Sequence, residues 1–193
     1  MIDEYVIKLP KALAKHLEGL DVESIVTELL LQKLSLNPDE EAEVHAENSK
    51  RFLEEGVSLV DKEPVQASEK LYKAAEECVK ALALHLNLSD IVKKAKERGR
   101  WTATELEKSV LKISEKLGEW FRQAWDTAWT LHVWGFHEAK FDSEDVKTRL
   151  LSIEKMVEEA RKILRRNEAS EERPRPSSKA HHFDHAGLFG KPL

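Results

Sequence analysis

One cysteine, Cys78, occurs in 193 residues, so no intramolecular disulfide and no thiolate metal cluster can form. Its neighbours Ala74, Ala75, Val79 and Ala81 mark it as a small buried apolar residue rather than a reactive thiol. Amides are also scarce, with Asn and Gln together numbering seven. Charged residues reach 35%, against about 25% in an average domain. Many Lys and Glu beside few amides is the composition of a thermophile's protein, and also of long solvated helices. No apolar run approaches the ~18 residues of a membrane span. The start, Met1-Ile2-Asp3-Glu4, lacks the basic and apolar regions of a signal peptide. A cytoplasmic protein with no membrane segment is therefore expected. No Gly-rich phosphate loop, Cys pair or Ser-His-Asp arrangement appears, so neither a cofactor nor a metal is expected.

Hydrophobic residues make up 41%, enough for a core, and the length allows one domain plus extensions. The net charge of −5 is unevenly spread. Residues 1–60 hold 13 acids and 6 bases, whereas residues 61–167 hold 19 acids and 21 bases. A polyanion would avoid the first part and tolerate the second.

The pattern along the chain is mainly helical. Residues 4–9 alternate in character and predict one short strand, with Tyr5, Ile7 and Leu9 on one face. A short helix after Pro10, closed at Gly19, and a second helix from an Asp21 cap to about Leu34 follow. This unit, residues 1–36, resembles a ribbon-helix-helix DNA-binding unit in its order. Its acidity and the outward set Glu4, Val6 and Lys8 favour an appendage that packs on the rest or aids dimerisation. Residues 38–166 predict an up-and-down helical bundle. Its helices start at Asn37-Pro38, at Pro64, at Thr102 with Glu105 in a capping-box spacing, and at Asp142 or Ser143. The third of these runs unbroken on its apolar pattern as far as Gly135. Residues 167–193 show no periodicity and predict a flexible tail, in which His181, His182 and His185 form an adventitious metal site at most.

The segment Pro64-Val-Gln-Ala-Ser-Glu-Lys-Leu-Tyr-Lys-Ala-Ala-Glu-Glu-Cys-Val-Lys-Ala-Leu-Ala resembles the signature of the archaeal PaREP proteins. Trp129-Thr-Leu-His-Val-Trp-Gly-Phe-His-Glu, followed by a helix begun at Asp-Ser, is similar to the end of that family. The resemblance covers about residues 38–166 and implies a divergent branch of the HEPN superfamily. It further implies a homodimeric helical bundle, often beside a nucleotidyltransferase-type partner in a toxin-antitoxin-like pair. Several HEPN branches are metal-independent RNases that use an Arg and a His four to six residues apart. Here His132 stands at the His position, but positions 125–127 hold Trp125, Asp126 and Thr127. The nearest upstream arginine, Arg122, lies ten residues before His132, about 80° off its face on an α-helix.

The candidate catalytic set is therefore His132 and His137 as base and acid, with Arg122 or Lys140 as the cation that a phosphorane needs. Three readings stand for this region: catalysis, a Trp-lined cleft that stacks a base, and residues that fill a helix end. Trp120, Trp125, Trp129 and Trp134 suit a core, a dimer seam or a ligand platform. The run Lys93, Lys94, Lys96, Arg98 and Arg100, with Trp101 beside it, has the composition of an RNA-backbone contact or of a solvated surface. The expectation is a non-catalytic binding protein for RNA, a nucleotide or a protein partner. The alternative is an RNase with a degenerate Arg/His motif centred on His132.

Overall fold

The computed structural model describes residues 6–171, with side chains to residue 165. Among them the architecture is wholly helical, and no helix is long and apolar enough to cross a membrane. The elements are α1 (Lys11–Ala14), α2 (Val22–Lys33), α3 (Pro38–Leu59), α4 (Pro64–His85), α5 (Ser89–Arg98), α6 (Ala103–Leu117), α7 (Glu119–Thr130) and α8 (Ser143–Glu171), with a π-helical segment, Leu131–His137, after α7.

The expected strand is not present in its described part. Residues 6–10 carry no regular structure, and Val6 and Ile7 are exposed. Alternation alone forms no strand without a neighbouring edge to pair with. Residues 1–5 lie outside the described part, as does the predicted tail beyond Glu171. The last helix continues five residues past the expected boundary. The histidines at 181, 182 and 185 are likewise outside it.

The helix starts follow local chemistry. Asp21 accepts from the Ser24 amide at 3.2 Å and begins α2. Asn37 and Glu40 form a capping box, with Pro38 fitted into the first turn of α3. Thr102 and Glu105 do the same for α6, and Asp142 and Asp145 exchange backbone bonds at the head of α8. Gly99, with φ of 74°, closes α5 in the left-handed conformation.

Helix α4 is the central element. It packs on α3, α6, α7, α8 and the π segment, and its buried residues lie on almost every side of it. Helix α3 runs antiparallel to it, since Gly56 faces Leu71 while Ser49 bonds the Ala74 carbonyl at 2.8 Å and His45 reaches Glu77. The core gathers Leu71, Leu82, Ile113, Phe121, Trp125, Leu131, Ile153 and Met156, all fully buried. Burying a Leu, Ile, Phe or Met side chain contributes about 1.5–3 kcal/mol each before the entropy of ordering is counted.

The single helix expected from Thr102 to Gly135 is three elements. Gly118, with φ of 99°, breaks α6 from α7. The apolar period resumes on both sides of the break, so periodicity alone did not reveal it. The π winding then begins at Leu131. Gly135 makes it fit: a Cβ there would lie 2.3 Å from Ser68 Oγ on α4 and 3.2 Å from Phe141. Bare backbone is what lets the π segment lie this close to α4.

Candidate functional site

The π winding decides the geometry around His132. Residues five apart on an α-helix point about 140° away from one another. An i to i+5 turn brings them nearly above one another. His132 and His137 accordingly meet, Nε2 to Nε2, at 3.1 Å, with ring centroids 4.4 Å apart. On the other side, His132 Nδ1 lies 2.8 Å from Glu69 Oε2 on α4. An ionised carboxylate only accepts, so Nδ1 carries the proton and donates to Glu69. In the neutral ring Nε2 then holds the lone pair toward His137. The result is a carboxylate-imidazole-imidazole chain that leads from half-buried Glu69 to exposed His137.

Aromatic rings hold the chain in place. Tyr72 stacks on His132 with centroids 4.1 Å apart and 23° between planes. Trp129 and Phe136 stand 5.7 Å and 6.1 Å from the same ring. Trp125 extends the cluster inward, 5.8 Å from Tyr72. Pairs of this kind contribute about 0.5–1.5 kcal/mol beyond the area they bury. Burial, with the nearby Glu76 and Glu69 charges, pushes the Tyr72 hydroxyl well above its usual range, so Tyr72 stays neutral.

The other catalytic candidate is placed elsewhere. Arg122 is ion-paired on its own helix with Glu119 and, at 3.3 Å, with Asp126. Positions 125–127, where an arginine would complete the motif, are otherwise engaged. Trp125 is buried and donates from Nε1 to Glu107 at 2.8 Å, Asp126 pairs with Arg122, and Thr127 bonds the Gln123 carbonyl at 2.9 Å. Lys140 follows the π segment and is exposed, with no ion pair among the described residues.

The tryptophans divide by position. Trp125 is core, Trp120 is half-buried beneath Lys155, and Trp129 is 37% exposed at the rim of the His132 cluster. Trp134 is 53% exposed and makes no ring contact among the described residues, so it does not line the same face.

In the basic run, three of the five cations are neutralised. Lys93 pairs with Glu97 at 3.8 Å, Lys96 with Glu41, and Arg98 with Glu105 at 2.7 Å. The Thr102 hydroxyl and the Arg98 guanidinium hold the Glu105 carboxyl down at about 2. Lys94 and Arg100 have no ion pair among the described residues, and Trp101 is half-buried against the core. Helix α5 is thereby tied to α3 and α6 by the charges that the composition suggested for phosphate.

Sequence reasoning missed Glu69 and Tyr72, and it also missed a buried ionic cluster on the α3 side of α4. His45 Nδ1 meets Glu77 Oε2 at 2.7 Å, and Lys80 Nζ lies 2.7 Å from both Glu76 and Glu77. His45, Glu77 and Lys80 are each 7% exposed or less. Burial pushes the Glu77 carboxyl up, but the Lys80 ammonium and His45 outweigh this and hold it at about 2. Burial likewise works against charge on Lys80, and the two glutamates overcome it. The available signal was a helix apolar on nearly every side that nevertheless carried Glu and Lys. Such charges must find partners. No group of three or more His, Cys, Asp or Glu side chains suited to a metal occurs among the described residues.

The archaeal PaREP1/PaREP8 family matches over residues 44–168, which takes in α4, the π segment and the whole His132 cluster. Two solved structures of one Sulfolobus solfataricus structural-genomics target are similar at 38% identity. Its crystal structure covers 62% of this chain and 92% of its own, with a TM-score of 0.49. Its solution structure covers 62% and 88%, with a TM-score of 0.47. No curated protein matches the chain.

Proposed function

We propose that this chain, which belongs to the archaeal PaREP1/PaREP8 family, is a HEPN-like homodimeric protein that binds single-stranded RNA without cleaving it. The carrying observation is that both ring nitrogens of His132 are already engaged, Nδ1 by Glu69 and Nε2 by His137. A general base must offer a lone pair to the substrate. The arginine that would stabilise a phosphorane is absent from positions 125–127, and Arg122 is held by two carboxylates. Trp129 and His137, at the outer edge of the ring cluster, offer flat surfaces on which an unpaired base can stack. Lys140, which has no ion pair among the described residues, supplies a positive charge for a phosphate. Titration with a short single-stranded RNA should quench tryptophan fluorescence, and Trp129→Leu should weaken binding about tenfold or more. Unchanged fluorescence at saturating RNA would sink the reading.

One observation favours the RNase alternative. Glu69, His132 and His137 form a chain along which a proton taken up by exposed His137 acting as the base could pass inward, from His137 Nε2 to His132 Nε2 and from His132 Nδ1 to the Glu69 carboxylate. Cleavage of total RNA in EDTA by the wild type, lost in His137→Ala, would establish that reading instead.

A further inference from the structure

A cavity of about 500 Å³ lies beneath α2, between its inner side, the loop that follows it, the floor made by α3 and α4, and the end of α5. That volume suits a small organic ligand. It shares no residue with the His132 cluster. Buried His45 and Lys80, with partly exposed Glu76, form its floor, and Leu31, Leu34, Leu36 and Trp101 supply apolar wall. Ionic groups held this deep cost several kcal/mol each, and apolar residues of similar volume would often serve stability as well or better.

The charges that line the cavity cancel in pairs, with two exceptions. Lys80 is matched by Glu76 and Lys96 by Glu41. Glu28 and Arg100 have neither an ion pair nor a hydrogen-bonded side-chain partner among the described residues. One carboxylate, one guanidinium and an apolar wall with an indole are thus left unmatched. We propose that this cavity binds a small zwitterion with a large apolar side group, an α-amino acid of aliphatic or aromatic type. Its carboxylate meets Arg100, its ammonium meets Glu28, and its side chain packs on Trp101 and the three leucines. A polyphosphate is disfavoured because Glu28, Glu41 and Glu76 all face the same space. A simple amine leaves Arg100 unmatched, and a simple acid leaves Glu28 unmatched.

Entry is built into the way α2 is held. The helix buries no residue and is fastened by polar contacts, among them Asp21 to Lys70 at 3.3 Å and Gln32 Nε2 to the Gly99 carbonyl at 3.2 Å. Such contacts reform readily in water, so α2 can lift and close again over an occupant.

Calorimetric titration of the full chain with L-tryptophan, L-leucine, tryptamine and indole-3-propionate tests the assignment. L-Tryptophan or L-leucine should bind, and the two indoles that lack one charge should bind at least about tenfold more weakly than L-tryptophan. Arg100→Gln should reduce L-tryptophan to the level of tryptamine, and Glu28→Gln to the level of indole-3-propionate. Both positions are exposed, and an unchanged helical circular dichroism melt confirms that each variant is folded. Binding of neither amino acid overturns the assignment. So does equal affinity for L-tryptophan and its two single-charge analogues, or wild-type affinity in both variants.

Discussion

Glu69 and His132 stand 63 residues apart in the chain and meet at 2.8 Å, carboxylate oxygen to Nδ1, across the junction of α4 and the π segment. That bond fixes which nitrogen of His132 carries the proton and which way the ring faces. It also places the imidazole flat on Tyr72, so one contact sets both the chemistry and the packing of this end of the bundle.

Nitrogen-15 spectra of the imidazoles should therefore show His132 in the Nδ1–H form, with a proton that exchanges slowly with water. Glu69→Ala should release that proton to fast exchange. It should also lower stability by about 1–3 kcal/mol, the cost of leaving a half-buried donor unpaired. A His132 resonance typical of the Nε2–H tautomer in the wild type would contradict the bond.

Gly135→Ala should destabilise the fold by about 1–3 kcal/mol through overpacking, because the new methyl would sit 2.3 Å from Ser68 Oγ and 2.6 Å from Ser68 Cβ. Ser68→Ala should not relieve this, since the Cβ remains. Ser68→Gly should recover part of the loss even after its own helix penalty of about 1 kcal/mol. Chemical denaturation of the single and double variants separates these outcomes.

The buried ionic cluster predicts a pH dependence of known sign. Glu77 is held at about 2 in the folded chain, against an ordinary value of 4.5. Its contribution is complete above the unfolded value and is lost as pH falls from about 5 toward 2, on the order of 3 kcal/mol. Glu77→Gln should flatten that limb of the stability profile while costing stability at neutral pH. A variant that keeps the wild-type acid limb would assign the loss to other groups.

Cys78 should stay unmodified by thiol reagents until the protein unfolds. Its thiol is fully buried, lies 3.0 Å from Ser49 Oγ, and is pushed up to about 12 by burial. Labelling in native buffer at a rate unaffected by stabilising conditions would show otherwise.

Much of the fold was legible in the sequence because its signals are local. Asn37-Pro38, Pro64, Thr102 with Glu105, and Asp142 each mark a helix start that the structure keeps. The π segment was not legible, since its apolar residues also satisfy an α period over a short stretch. The sequence presents His132 and His137 as a base and acid pair, but their contact depends on π winding that periodicity does not report. Glu69 and the His45–Glu77–Lys80 cluster were missed for another reason. Each depends on which side of α4 meets a helix distant in sequence, and a pattern along one helix does not contain that.

Gel retardation of a 5′-labelled single-stranded RNA by the full chain in EDTA, with the same RNA then sized under denaturing conditions, shows whether the protein holds RNA without cleaving it. The expected result is a retarded complex from which RNA is recovered at full length, with retardation weakened in Trp129→Leu. RNA that runs free at saturating protein, or that returns shortened, would contradict it.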